Sequence, residues 1–338
     1  LRCLVGSEMC IRDSIISACK KALDDGHHGY TEPNGVLELR KGVSRYIHKH
    51  YKAQVNASRI LITPGGKPTI FFTMMLLGEP GYEIIYPEPG FPIYESMINY
   101  SGAKPVPMFL KEQNDFSFKA DEVLKLIKKN TKLIIINNPQ NPTGALIDEN
   151  EIKKLVQGLK KYPDVCILSD EIYSRQIYDG KKMPTFLNYP EIYERLIVLD
   201  GWSKSYAMTG WRLGWSVWPD KLIEKVTRLA INSYSCVPAA NQIAALAALE
   251  GSDEFINNMM NEFSKRRKLI VNGLNNLKGI KCNNPGGAFY VFPNVINSGL
   301  NGEQFSQKCL DEAGVAIVPG TSFGKSCVNY VRFSYANS

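Results

Sequence analysis

Lys204 lies within the stretch 200–214, D-G-W-S-K-S-Y-A-M-T-G-W-R-L-G, directly after the β-type run Leu196-Ile197-Val198-Leu199. Arg212 follows eight residues later, across small and flexible residues. A lysine in the turn that ends a buried strand loses part of its hydration. That lowers the ammonium pKa and frees the amine to attack a carbonyl carbon. The planar fork of an arginine binds two oxygens of a dianionic phosphate at once. Together the two residues point to an imine-forming lysine beside a phosphate site. They also fit a solvated surface turn, so the pair has to be weighed with the rest of the chain.

Five further loop features could serve one ligand. Gly65-Gly66-Lys67 opens a helix, where free backbone N–H groups and the positive end of the helix dipole make an anion site. Phe91 stands between prolines in a loop that could hold its ring for stacking. Asn141 lies in N-N-P-Q-N-P-T-G, which must turn sharply, with its amide free to bond a ligand oxygen. Asp170, in S-D-E-I-Y, ends a strand and could bury a carboxylate against a cationic ring nitrogen, and Tyr173 three residues later could reach the same ligand. Taken singly, Phe91 also fits a core phenylalanine, and Asp170 a helix cap.

The elements that must position these residues alternate. Helices are predicted at 15–23 and 36–51, joined by the loop His27-His28-Gly29-Tyr30-Thr31-Glu32-Pro33-Asn34-Gly35. Strands follow at 59–63, 83–86, 104–108, 132–137, 165–168, 196–199 and 212–217, with helices between most of them, one capped by Asp148. Strands apolar throughout and separated by helices signal a parallel sheet covered on both faces. Ligands on such sheets bind beyond the carboxyl ends of the strands, where all the unusual residues fall. Helices at 219–234, 239–250 and 255–276 lead to a remainder, 281–338, that reads as a smaller α+β unit. The expected division is a large cofactor-binding domain at 14–260 and a small C-terminal domain at 261–338.

Composition narrows the class. At 338 residues, with 44% apolar and 22% charged residues, the chain has the make-up of an ordinary globular protein, with length for one large domain plus a smaller one. A net charge of +7 is spread along helix faces without interleaved aromatics, which argues against nucleic-acid binding. Eight cysteines form no C-x-x-C pair and four histidines do not join them, so no metal site is expected, and free thiols fit a cytoplasmic protein. Apolar runs are strand-sized, and no membrane span is expected. Residues 1–13 lack helical or strand periodicity and read as a foreign-looking leader on an end-truncated chain.

N-N-P-Q-N-P-T-G, S-D-E-I-Y and S-K-S-Y-A-M-T-G-W-R-L-G, in that order, resemble the class I/II aminotransferases of fold type I, in the aspartate aminotransferase-like subgroup. The resemblance runs from about residue 14 to the C-terminus. It implies pyridoxal 5′-phosphate as cofactor, carried covalently by Lys204. Asp170 would pair with the pyridine nitrogen, Asn141 and Tyr173 would contact the ring hydroxyl, and Phe91 would stack on the ring. Arg212, with the amides of Gly66 and Lys67, would hold the phosphate. Tyr30 would reach the phosphate of a neighbouring subunit, making a homodimer. Arg332, in Y-V-R-F-S, matches the arginine that clamps the substrate α-carboxylate. Lys67 would also reach the distal carboxylate of an acidic substrate, which favours aspartate. Gly201 departs from relatives that place a serine there, so one phosphate contact is expected to be missing. The expected activity is amino transfer between an L-amino acid, aspartate first, and a 2-oxo acid such as oxoglutarate, with Lys204, Asp170 and Tyr173 as catalytic groups. Aromatic or broad specificity, and a lyase on the same fold, are the alternatives. A non-catalytic effector-binding relative would bring a DNA-binding module for which the chain has no room.

Overall fold

The computed structural model describes residues 13–337. The expected leader therefore lies outside the described residues, except for Asp13, which starts the helix Asp13–Asp24. Seven strands form the main sheet: β1 (Ile60–Thr63), β2 (Glu83–Glu88), β3 (Lys104–Phe109), β4 (Thr131–Asn137), β5 (Cys166–Asp170), β6 (Leu196–Gly201) and β7 (Gly214–Val217). Their order across the sheet is β1-β7-β6-β5-β4-β2-β3. The pairings among β2 to β6 are parallel, and β7 runs antiparallel to both its neighbours. The link from β6 to β7 contains only the four-residue helix Trp202–Ser205, too little for the crossover that a parallel neighbour needs.

Alternation along the strands explains their continuous apolar sequences. Leu133 and Ile135 of β4 join one buried cluster with Leu168, Ile197 and Leu199, while Ile134 and Ile136 join another with Ile62, Ile167 and Val198. Successive side chains point to opposite faces, and both faces are covered. The helices Lys67–Leu77, Ile93–Ser101 and Asp220–Tyr234 supply apolar residues to the first cluster. Leu37–Tyr51, Glu149–Leu159 and Ala239–Glu250 supply the second. Asp148 caps its helix as its position predicts, accepting from the backbone N–H of Asn150 at 2.8 Å.

A second, antiparallel sheet contains β8 (Tyr290–Val291), β9 (Val318–Pro319) and β10 (Val331–Ser334), with β10 in the centre. Its helix Gly302–Ala313 starts with a capping box between Asn301 and Gln304. The long helix Glu254–Asn275 crosses the expected division near residue 260 and packs Met259 and Phe263 beside Phe289, Tyr290 and Tyr335.

One boundary differs where it matters. The strand expected from 212 begins only at Gly214, because Arg212 adopts a left-handed φ of 54° that cannot continue into β7. Its guanidinium turns back instead, donating to the carbonyls of Thr209 at 2.7 Å and Pro64 at 3.2 Å.

Candidate active site

A cavity of about 360 Å³ opens where β4, β5 and β6 end. It is lined by Lys204, Asp170, Tyr173, Asn141, Phe91, Gly66, Lys67, Arg212 and Arg332. Nine of the ten residues singled out from sequence thus meet in one space. Tyr30, the tenth, is 90% exposed and is not among the residues that line this cavity.

Lys204 stands in the helical turn after β6, and its carbonyl accepts a 2.9 Å hydrogen bond from the buried amide Nε2 of Gln176. Burial, reinforced by the positive charges of Arg332 and Arg212, brings its amine down to about 8, against the opposing pull of Asp170. About a tenth of the amine is therefore unprotonated at pH 7, far more than for an ordinary lysine, and the neutral form is the one that a nucleophile or base requires.

Asp170 ends β5 and is 4% exposed. One carboxylate oxygen accepts from the Tyr94 hydroxyl at 2.6 Å, and the other from the Ile172 N–H at 3.2 Å. Burial raises the carboxyl to about 6, while those two donors and Lys204 oppose the rise. The bond to Ile172 is the local cap-like contact that sequence also allowed. The buried carboxylate on the cavity wall goes well beyond capping.

The turn that could cradle an anion packs three glycines backbone to backbone. A Cβ on Gly214 would meet the carbonyl carbon and oxygen of Gly65 at 2.6 Å, and a Cβ on Gly201 would meet the Gly214 Cα at 2.8 Å. Gly65 has φ +86°, and the Arg212 guanidinium lies against its Cα face. No side chain caps the helix that starts at Lys67, and Gly66 and Lys67 at its start line the cavity. The expected loss of a hydroxyl at Gly201 is a packing requirement here, and Ser203 and Thr209 line the same cavity.

Opposite, Arg332 is fixed from three sides. Its guanidinium carbon lies 4.5 Å from the Tyr290 ring centroid and 4.8 Å from that of Phe323, and Nη1 donates to the Asn141 side-chain oxygen at 3.0 Å. Its Nε is buried and has no hydrogen-bond partner among the described residues. Tyr290 in turn shares a 3.0 Å hydrogen bond with the Tyr173 hydroxyl. A buried, unpaired donor on a clamped guanidinium is a site for an anionic oxygen of a ligand.

The sequence stretch 5–338 matches the family described as aminotransferase class I and II. The chain belongs to that family. It is 39% identical over 328 residues to an aspartate aminotransferase of Pyrococcus horikoshii, covering 96% of this chain and 83% of the relative. The fold superposes with a TM-score of 0.93 on the aspartate aminotransferase of Rhizobium meliloti, at 30% identity, covering 99% of this chain and 86% of that one. It superposes at 0.92 on an aromatic aminotransferase from Pyrococcus horikoshii, at 33% identity, with 96% and 87% covered. The chain is an aminotransferase of fold type I.

Sequence reading missed several residues of this aminotransferase cavity. Tyr94 and Tyr290 line it, as do Ser203 and Thr209. Tyr94 had one available signal, its place one helical turn after Phe91. Tyr290, which starts β8, had none, because its bond to Tyr173 joins positions 117 residues apart.

Proposed function

We propose that this aminotransferase uses pyridoxal 5′-phosphate and transfers the amino group of aspartate to a 2-oxo acid such as oxoglutarate. The observation that carries the reading is the meeting of Lys204, Asp170 and Arg332 in one cavity, with the Arg332 Nε left unpaired. The residues fit the cofactor: a lowered amine, a buried carboxylate and a glycine cradle beside an arginine. Lys204 would carry it, Asp170 would face the ring nitrogen, and Asn141 and Tyr173 the ring hydroxyl. Phe91 would cover the ring face, and Arg212 with the amides of Gly66 and Lys67 would hold the phosphate. When bound, the cofactor supplies an electron-withdrawing ring that stabilises negative charge on the amino acid.

The chain's own residues supply the rest. Arg332 grips the α-carboxylate with a fork already oriented by Tyr290, Phe323 and Asn141, which holds the Cα proton toward the Lys204 amine. That amine, brought down to about 8, would accept the Cα proton and, as an ammonium, could deliver it on the far side of the amino nitrogen. Tyr30, exposed on its loop, would complete the phosphate site of a second copy in a homodimer. A cytoplasmic setting accords with six free cysteines among the described residues.

Substrate choice rests on Lys67, a cavity residue that forms no ion pair among the described residues and is free to meet a distal carboxylate. Aromatic substrates are the second reading, favoured by the rings of Phe91, Tyr94, Tyr173 and Tyr290 around the cavity. Catalytic efficiency with aspartate, alanine and phenylalanine, in the parent and in Lys67→Ala, separates the two. A desolvated ammonium–carboxylate contact favours aspartate over alanine by ~2–3 kcal/mol. An aspartate-to-alanine ratio untouched by Lys67→Ala removes Lys67 from selection, and a parent preference for phenylalanine supports the second reading.

A further inference from the structure

Tyr94 belongs to the first turn of the helix Ile93–Ser101, three residues after Phe91. Its ring is fully buried, in edge contact with Phe91 at 6.0 Å between centroids and 84° between planes. Its hydroxyl does not end in water. It reaches Asp170 Oδ2 at 2.6 Å, at the short end of the range for a hydroxyl donating to a carboxylate. A phenylalanine would fill the same volume, so packing alone gives no reason for the oxygen.

We infer that Tyr94 is a positioning residue for amino transfer, whose buried hydroxyl holds the Asp170 carboxylate ionised and aimed at the cofactor's ring nitrogen. This rests on the cofactor reading proposed above and adds a residue to it. A buried carboxylate tends to take up a proton, and a neutral acid cannot pair with a cationic nitrogen. The groups facing Asp170 divide in their effect. Lys204 and the donors Tyr94 and Ile172 favour the anion. Glu171 and Asp200, both buried, and Tyr173 stand close enough to couple with its charge, and their negative forms oppose it. The direction of the hydrogen bond is set, because burial and the neighbouring Asp170 charge push the Tyr94 phenol well above its ordinary range, so it donates and never accepts the proton. The same side chain props Phe91, so one residue aligns the partner of the ring nitrogen and the partner of the ring face.

The test measures the pyridoxal phosphate dissociation constant of apoprotein by tryptophan quenching from pH 5 to 9, in the parent and in Tyr94→Phe. In the parent, affinity declines on acidification as Asp170 takes up its proton. In Tyr94→Phe the decline begins about one to two pH units higher, the size expected for one charge-assisted hydrogen bond, with affinity near normal at pH 9. On an Asp170→Asn background the same substitution has no pH-dependent effect. Fluorotyrosine installed at position 94, a stronger donor, moves the break the other way and serves if Tyr94→Phe does not fold. Coincident profiles, or an equal loss of affinity at every pH, overturn the inference and leave Tyr94 a packing residue. Borohydride labelling of Lys204 in the parent tests the cofactor reading separately. An unlabelled parent sinks both, whereas a labelled parent with coincident profiles sinks the Tyr94 inference alone.

Discussion

Arg332 Nη1 donates to the side-chain oxygen of Asn141 at 3.0 Å, joining positions 191 residues apart in the chain. The bond ties central strand β10 of the small sheet to the loop that follows β4 of the large one. A second link runs close by: the Gly90 N–H donates at 2.8 Å to the carbonyl of Phe323, whose ring lies against Arg332. The arginine that would read the substrate carboxylate is thus registered against the loops that carry Phe91 and Asn141.

Arg332→Lys should bind amino acid far more weakly, because an ammonium cannot reproduce the fork or its contact with two rings. Losing one partner of a desolvated charge pair costs about 2–5 kcal/mol, so KM should rise by ~10² or more with a smaller change in kcat. Steady-state kinetics with saturating oxo acid checks this. A KM within threefold of the parent means another residue holds the carboxylate.

Borohydride reduction of protein loaded with pyridoxal phosphate, followed by peptide mapping, should place the label on Lys204. The rate of attachment should climb as pH rises through about 8, because the amine is neutral only above its lowered value. A label elsewhere, or a climb centred near the ordinary lysine value, contradicts the burial argument. Lys204→Ala should abolish amino transfer.

Asp170→Asn should gain stability and lose turnover. The folded carboxyl stands near 6 against an ordinary 3.8, so the folded state binds the proton more tightly. The neutral acid is therefore tolerated below pH 4, and stability is lost as pH rises through 6, where the buried group must ionise. At pH 7, two units at 1.36 kcal/mol each make the asparagine apoprotein more stable by about 2–3 kcal/mol. Turnover should fall by ~10² as the ring nitrogen loses its anionic partner. Thermal melts at pH 4.5 and 7 should converge at the acid end. A variant no more stable than the parent at pH 7 contradicts the raised value.

Gly214→Ala should disturb the phosphate cradle without touching any charged group. The added methyl would meet Gly65 backbone at 2.6 Å, and backbone cannot yield as a flexible side chain does. Overpacking of this kind costs about 1–3 kcal/mol. The variant should bind pyridoxal phosphate little better than unphosphorylated pyridoxal, whereas the parent should prefer the phosphate form strongly. A retained preference shows that the cradle lies elsewhere.

Local chemistry makes much of this aminotransferase legible in its sequence. Apolar strands of period two, Asp148 as a helix cap and Gly65-Gly66-Lys67 at a helix start are decided within a few residues by backbone sterics and burial. So is the lysine turn after β6, since a strand buried on both faces delivers whatever follows it to the sheet's carboxyl edge. Lys204, Asp170 and Asn141 could therefore be nominated from sequence. Their meeting in one cavity is a tertiary fact, and it depends on the order in which β4, β5 and β6 lie side by side. Arg212 shows where local reading stops. A pattern of apolar residues placed it in a strand, but its left-handed φ and its contacts with Pro64 and Thr209 arise from a turn packed against another loop. Tyr94 and Tyr290 were invisible for the same reason. A buried tyrosine looks like core until the acceptor of its hydroxyl is known, and for both residues that acceptor or partner stands dozens of residues away, brought close only by packing of the sheets.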